Sequence, residues 1–414
     1  MRVRYITGRV LATLAVLSVF VPGYIRSQQA SPGGIRDLIA SSKHSTSSDA
    51  HDNYVGDATC ASCHQEKVDT FHQTAHYLTS RLPNKESILG KFTPDANKPA
   101  TSNPELYFRM DENKNGFFQT AVEGIPPYTT ERTEQFGLVI GSGGKGQTYL
   151  FWKGDQLFQL PVSYWTELGW VNSPGYRDGI ANFDRPIVPR CLECHATYFE
   201  TIPPPPNHYS KTGFIVGITC EKCHGPGREH VRLRNSKTSE LSGSAILNPA
   251  RFARDRQMDL CAWCHAGQGT ALAKTFSYLP GEPLDEYLEL PQPDPSAQVD
   301  VHGSQVELLE KSRCFQSSAM TCSTCHDVHI RQHDAAAFSQ RCLSCHKPET
   351  PMFPKLNHQA KSDCTDCHMP KQETSLIVFD WNGKKARPQV RSHWIKVYPP
   401  IARTSAKSTP TPNQ

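Results

Sequence analysis

The pattern C-x-x-C-H occurs seven times in this chain and takes up fourteen of its fifteen cysteines, a repetition that constrains the fold more than any other feature. In chain order the copies are Cys60/Cys63/His64, Cys191/Cys194/His195, Cys220/Cys223/His224, Cys261/Cys264/His265, Cys322/Cys325/His326, Cys342/Cys345/His346 and Cys364/Cys367/His368. Cysteines three positions apart stand side by side on one helical turn. Such a pair can add across the two vinyl groups of a haem, and the histidine that follows directly can reach the iron as proximal ligand. Zinc also takes paired cysteines and histidines, but it does not require histidine immediately after every pair. The pattern therefore predicts seven c-type haems, with the fourteen cysteines as attachment points and the seven motif histidines as iron ligands.

The N-terminus predicts the compartment. Arg2, Arg4 and Arg9 precede an uncharged run from Val10 to Phe20, and Val21-Pro22-Gly23 follows, the layout of a secretory signal over 1–26 with cleavage between 23 and 30. The run is shorter than the about 20 apolar residues that span a bilayer, so no stable span is expected after processing. The formal charge of +4 includes Arg2, Arg4, Arg9 and Arg26 with no acidic residue among them, so 4 − 4 leaves about zero after cleavage. A basic surface for nucleic acid is not supported. Export places the chain in the periplasm or outside the cell.

Hydrophobic residues are 37%, beside 32 prolines and 27 glycines, which leaves little aliphatic core for 414 residues. Large apolar cofactors would supply the rest, and their removal should unfold the chain. The expected fold is that of a multihaem cytochrome c: mainly short α-helices and long irregular loops wrapped around seven haems, with a small antiparallel β subdomain. The segments expected are a flexible leader over 27–52, a first haem segment over 53–102, the β subdomain over 103–168, a six-haem domain over 169–401 and a disordered tail over 402–414. The β subdomain is read from apolar runs flanking Asn115-Gly116 and Gly154-Asp155, both hairpin signals. Gly141 to Gly146 lacks phosphate-loop spacing and reads as a turn.

Of 18 histidines, 18 − 7 leaves eleven outside the motifs. His44 and His51 fall in the leader, which leaves nine that could provide second axial ligands. The expected set is His76, His208, His230, His302, His329, His358 and His393. His329 lies three residues after His326 and projects from the same side of the chain, so it should serve a neighbouring haem. The chain has only 6 methionines, and predominantly histidine ligation implies potentials on the low side for cytochromes c. Cys314, outside every motif, reads as a buried thiol.

Tyr54-Val-Gly-Asp-Ala-Thr-Cys60-Ala-Ser-Cys63-His64, followed by Phe71-His-Gln-Thr-Ala-His76, resembles the opening of cytochrome c-554-like proteins, tetrahaem electron carriers with multihaem relatives. Gly217-Ile-Thr-Cys220-Glu-Lys-Cys223-His224-Gly-Pro-Gly-Arg-Glu-His230 looks like a second signature of that group, and Cys364 to Pro370 resembles the last motif of its larger relatives. The resemblance implies that His76 and His230 are distal ligands and that a later histidine, such as His393, completes a haem. It also implies haems packed in parallel-stacked and near-perpendicular pairs, as in pentahaem nitrite reductases and octahaem hydroxylamine oxidoreductases. Seven motifs match none of those counts, and no C-x-x-C-K site is present.

The leading functional reading is an electron carrier between periplasmic or membrane redox proteins, with no catalytic residue assigned. An alternative is an oxidoreductase with one open haem acting on a small nitrogen or sulfur compound. Its expected place is the haem of His195, with Tyr198 close by and Tyr164, Trp165 and Trp170 lining a pocket. A third is a subunit of a larger electron-transfer assembly.

Overall fold

The computed structural model describes residues 51–203, 206–236, 245–291, 305–347, 364–374 and 376–398. The chain enters on α1 (Asp57–Phe71), passes the short strand β1 (Ser80–Arg81) and then builds a β region. Strands β2 (Leu106–Asn113), β3 (Gly116–Ile125) and β4 (Tyr128–Gln135) form one antiparallel sheet. Strands β5 (Leu138–Ile140), β6 (Gly146–Lys153), β7 (Gln156–Gln159), β8 (Val162–Trp165) and β9 (Gly169–Asn172) join β1 in a second.

Both hairpins form near their turn signals. In the first, Asn113 pairs with Gly116, so the turn residues are Lys114 and Asn115, one position earlier than expected. In the second, Lys153 pairs with Gln156 across Gly154-Asp155, and Gly154 supplies φ 63°. Leu106, Phe108 and Met110 alternate inward on β2 while Tyr107 faces out. They meet Phe117, Phe136, Tyr149, Phe151, Tyr164, Trp170 and Phe183 in the largest core. Edge strand β4 is almost wholly exposed and rich in Thr, Glu and Arg, a composition that discourages pairing with another chain.

The remaining helices are short: α2 (Pro189–His195), α3 (Cys220–His224), α4 (Arg228–Asn235), α5 (Arg254–His265), α6 (Gln305–Glu310), α7 (Arg313–Gln316), α8 (Ala335–Leu343) and α9 (Cys364–His368). Strands recur between and after them, beyond the expected 103–168. The pairs are β10 (Ala196–Thr201) with β11 (Tyr209–Val216), β12 (Thr270–Ala271) with β13 (Leu288–Glu289), β14 (Lys371–Glu373) with β17 (Gln389–Arg391), and β15 (Phe379–Trp381) with β16 (Lys384–Ala386). The last of these turns on Asn382-Gly383, with φ 47° and 68°, a strong hairpin dipeptide outside the expected β subdomain.

Two smaller cores carry motifs. One packs Leu192 and Ala196, around the second motif, against Leu138, Leu150, Leu157, Phe199 and Tyr209, and so fixes α2 to the β region. The other surrounds α5, with Met258, Ala262 and Trp263 against Tyr278, Leu284, Leu309 and Phe315. Among the described residues no helix is long and apolar enough to cross a membrane.

Candidate functional site

Each motif sits on a helical turn, as two adjacent sulfurs require. The first lies inside α1, the second at the end of α2, the third makes up α3, the fourth ends α5 and the seventh makes up α9. In the fifth and sixth, His326 N donates to Cys322 O and His346 N to Cys342 O, both at 2.9 Å, which closes the same turn. At His64 the backbone leaves the helical region, with φ −123° and ψ 35° inside α1.

The motifs form one connected cluster. Cys60 of the first meets Cys220 of the third, and the ligand atoms of Asp57, Cys60 and Cys220 lie within 4.8 Å of one another. This trio resembles a metal site, but both cysteines belong to motifs, and Asp57 already accepts Cys220 N at 3.2 Å and faces His72 Nε2 at 3.0 Å. Cys223 of the third motif lies near enough to Cys261 of the fourth to raise its thiol pKa. Cys194 of the second pairs with Cys264 of the fourth, and Cys261 with Cys322 of the fifth. Cys325 feels Cys345 of the sixth, and Cys342 feels Cys364 of the seventh. The order of neighbours is thus first, third, fourth, fifth, sixth, seventh, with the second attached to the fourth. Half-buried Cys314 on α7 stands beside this line, close to Cys325 and Cys342.

The histidines bring in distant parts of the chain. The ring of His76 lies 6.1 Å from that of His265, His329 lies 6.1 Å from His224, and His393 lies 6.1 Å from His326. Two imidazoles on opposite faces of one iron, with metal–nitrogen bonds of about 2 Å and ring centres about 1 Å beyond, stand about 6 Å apart. The three pairs have that spacing, and in each a motif histidine meets one from the expected distal set. His224 Nδ1 donates to Leu247 O at 2.8 Å and His368 Nδ1 to Lys396 O at 3.0 Å. A carbonyl accepts only, so these bonds fix the tautomer and leave Nε2 for a metal. Thr79 Oγ1 holds His195 Nδ1 at 2.9 Å. Burial first, then the surrounding imidazoles, push His265 down to about 4, and burial with His326 does the same to His393. Both are therefore neutral at physiological pH, the form that binds metal. The donor set fits haem iron.

The other expected distal ligands are placed differently. His230 is half-buried in the first turn of α4. His302 and His358 lie outside the described residues. His208 departs from expectation: Nδ1 is 2.9 Å from Asp155 Oδ1 and Nε2 is 3.0 Å from Gln156 Nε2. Asp155 of the turn and Gln156 at the start of β7 thus hold both ring nitrogens and make the imidazole a link between the residue before β11 and the β region. His208→Ala is expected to leave the electron paramagnetic resonance of the haems unchanged, and a new high-spin signal would return His208 to the ligand set. The aromatic pocket expected beside His195 is also corrected. Tyr164 and Trp170, paired across β8 and β9, pack in the main β core, whereas strand alternation turns Trp165 to the opposite face, where it packs on Phe379.

Two residues inside the third motif join neighbouring motifs, and their position between paired cysteines is the signal by which the sequence could have disclosed them. Buried Glu221 accepts Val55 N and Gly56 N at 2.9 Å and Gly227 N at 2.7 Å, which ties the start of α1 to α3. Buried Lys222 donates to Thr197 O at 3.3 Å, and its Nζ lies 4.0 Å from the Trp263 ring centre and 5.2 Å from that of Phe276.

Residues 178–225, which contain the second and third motifs, match the family model described as cytochrome c554 and c-prime. The chain is 20% identical over 389 residues to the dissimilatory sulfite reductase MccA of Wolinella succinogenes, an alignment covering 77% of this chain and 50% of that protein. It is 21% identical over 196 residues to the multihaem cytochrome MtrA of Shewanella baltica, covering 43% and 46% respectively. The chain therefore spans about half the length of these curated relatives. The fold resembles that of the outer cell wall cytochrome OcwA, with a TM-score of 0.50 at 19% identity, over 83% of this chain and 80% of that one. The chain is a multihaem cytochrome c. Within this cytochrome the family match ends at Gly225, whereas the connected cluster extends over all seven motifs.

Proposed function

We propose that the cytochrome carries seven haems and passes electrons between exported redox partners along the line of its first, third, fourth, fifth, sixth and seventh motifs, with the second as a side arm from the fourth. The observation that carries this reading is the unbroken series of cysteine neighbours linking all seven motifs. Bound haems would supply the one-electron chemistry. The chain's part is to hold ring edges together, to keep imidazoles neutral and oriented through Leu247, Lys396 and Thr79, and to keep water from the centre.

His76 would complete the iron of His265, His329 that of His224 and His393 that of His326. His230, His302 and His358 are assigned to three of the remaining irons. Cys63 and His64 are exposed at one end of the line, as are Cys345, His346 and Cys367 at the other. Those ends are where periplasmic or membrane redox proteins would exchange electrons. The basic, apolar N-terminus supports export to the periplasm or beyond.

One observation favours a second reading. With His208 held by Asp155 and Gln156, the expected set offers six distal imidazoles for seven irons. An open iron would suit catalysis on a small nitrogen or sulfur compound, and one relative is named a sulfite reductase. Mass spectrometry of the mature protein combined with a reductive titration separates the readings. Seven haems, all low-spin and reversibly reduced without turnover of nitrite, hydroxylamine or sulfite, are expected of a carrier. Fewer than seven haems would overturn the proposed line.

A further inference from the structure

Lys222 stands where the second, third and fourth motifs converge. It belongs to the third motif, its ammonium faces Trp263 of the fourth, and Glu193 and Cys194 of the second lie within electrostatic reach, as does Cys264. Only 7% of the residue is exposed. Burying an ammonium is costly unless it is compensated. Here the compensation is the Thr197 carbonyl, the faces of Trp263 and Phe276, and the buried Glu193 carboxylate. Glu193 is itself held by Phe276 N at 2.6 Å and Arg190 Nη1 at 3.4 Å, while Arg190 also donates to Trp263 O and, at 2.6 Å, to Gln268 O. With Lys222 protonated, the state that burial disfavours and the Glu193 carboxylate favours, two cations and one carboxylate make a junction that is positive by one charge. Motif histidines and cysteines account for the haems, but nothing in attachment or ligation requires this cluster.

We infer that Lys222 is a potential-setting residue: a fixed cation at the three-way junction that raises the reduction potentials of the haems carried by the second and fourth motifs above those at the exposed ends. Reduction adds one electron to the iron, and a nearby positive charge stabilises the state that has gained it. Because the charge is buried, salt screens it poorly, and its effect reaches farther than that of a surface lysine. The side arm and the centre of the line then form a shallow well where electrons collect before they leave. This rests on the haem assignment proposed above.

The test is a spectroelectrochemical titration of the full mature protein and its Lys222→Met, Lys222→Arg and Glu193→Gln variants, each with its haems counted by mass. In Lys222→Met one or two haems are expected to become about tenfold harder to reduce, 59 mV for one electron, with the others unmoved and the shift retained at high salt. Lys222→Arg keeps the charge and should stay near the parent, whereas Glu193→Gln should shift the same haems the opposite way. Unmoved potentials in a seven-haem Lys222→Met protein overturn the inference, as does an equal shift in Lys222→Arg. If Lys222→Met does not accumulate, a Glu193→Gln protein with parental potentials overturns it. A haem missing from the second or fourth motif of the parent would instead sink the haem assignment.

Discussion

Replacing Cys261 and Cys264 together with alanine is expected to abolish accumulation of folded protein, while the same change at Cys60 and Cys63 removes one haem and leaves the rest in place. The asymmetry follows from position. Cys261 neighbours Cys223 and Cys322, and Cys264 pairs with Cys194, so the fourth motif touches three others. Its helix also buries Met258, Ala262 and Trp263 in a core that reaches Phe315. Losing the cofactor there would open a cavity lined by all of these, and large cavities cost several kcal/mol against a total stability of about 5–15 kcal/mol. In the first motif Cys63 and His64 are exposed, so the space left behind fills with water. Yield and haem number of the two variants, measured from the same host, give the comparison, and equal yields would contradict it.

A second large effect is expected at His76. Substitution by alanine should leave the iron of His265 with five ligands and convert one haem from low to high spin, visible by electron paramagnetic resonance and by carbon monoxide binding. Added imidazole should restore the low-spin spectrum, because truncating His76, whose ring stands 6.1 Å from that of His265, leaves the space of one imidazole ring. His76→Met should keep six ligands but raise the potential of that haem, since thioether ligation favours the reduced iron. An unchanged spectrum in His76→Ala would remove His76 from the ligand set.

The helical turns of the C-x-x-C-H motifs were legible because their geometry is local. Two sulfurs and an imidazole within five positions lie on one helical turn whatever the rest of the chain does. Hairpins announced by Gly154-Asp155 were legible for the same reason. His208 was misplaced because a histidine outside a motif carries no local mark of its partner, and Asp155 and Gln156 come from a strand pair about fifty positions away. Tyr164 and Trp170 were misread because an aromatic run looks the same whether it lines a cavity or fills a core.

Sequence by itself marked fourteen cysteines and seven histidines as the expected haem attachment and ligand positions, through their C-x-x-C-H spacing. Tertiary structure decided which motif neighbours which, and which distant imidazole stands beside which motif histidine. The ring of His76 lies 6.1 Å from that of His265 across 265 − 76, or 189, positions, and His329 stands 6.1 Å from His224 of the third motif although it follows the fifth closely in the chain. Covalent attachment depends on spacing along the backbone, and that is written in the chain. Distal ligation depends on which surfaces pack together, and packing brings together residues whose order in the chain does not disclose their distance in space.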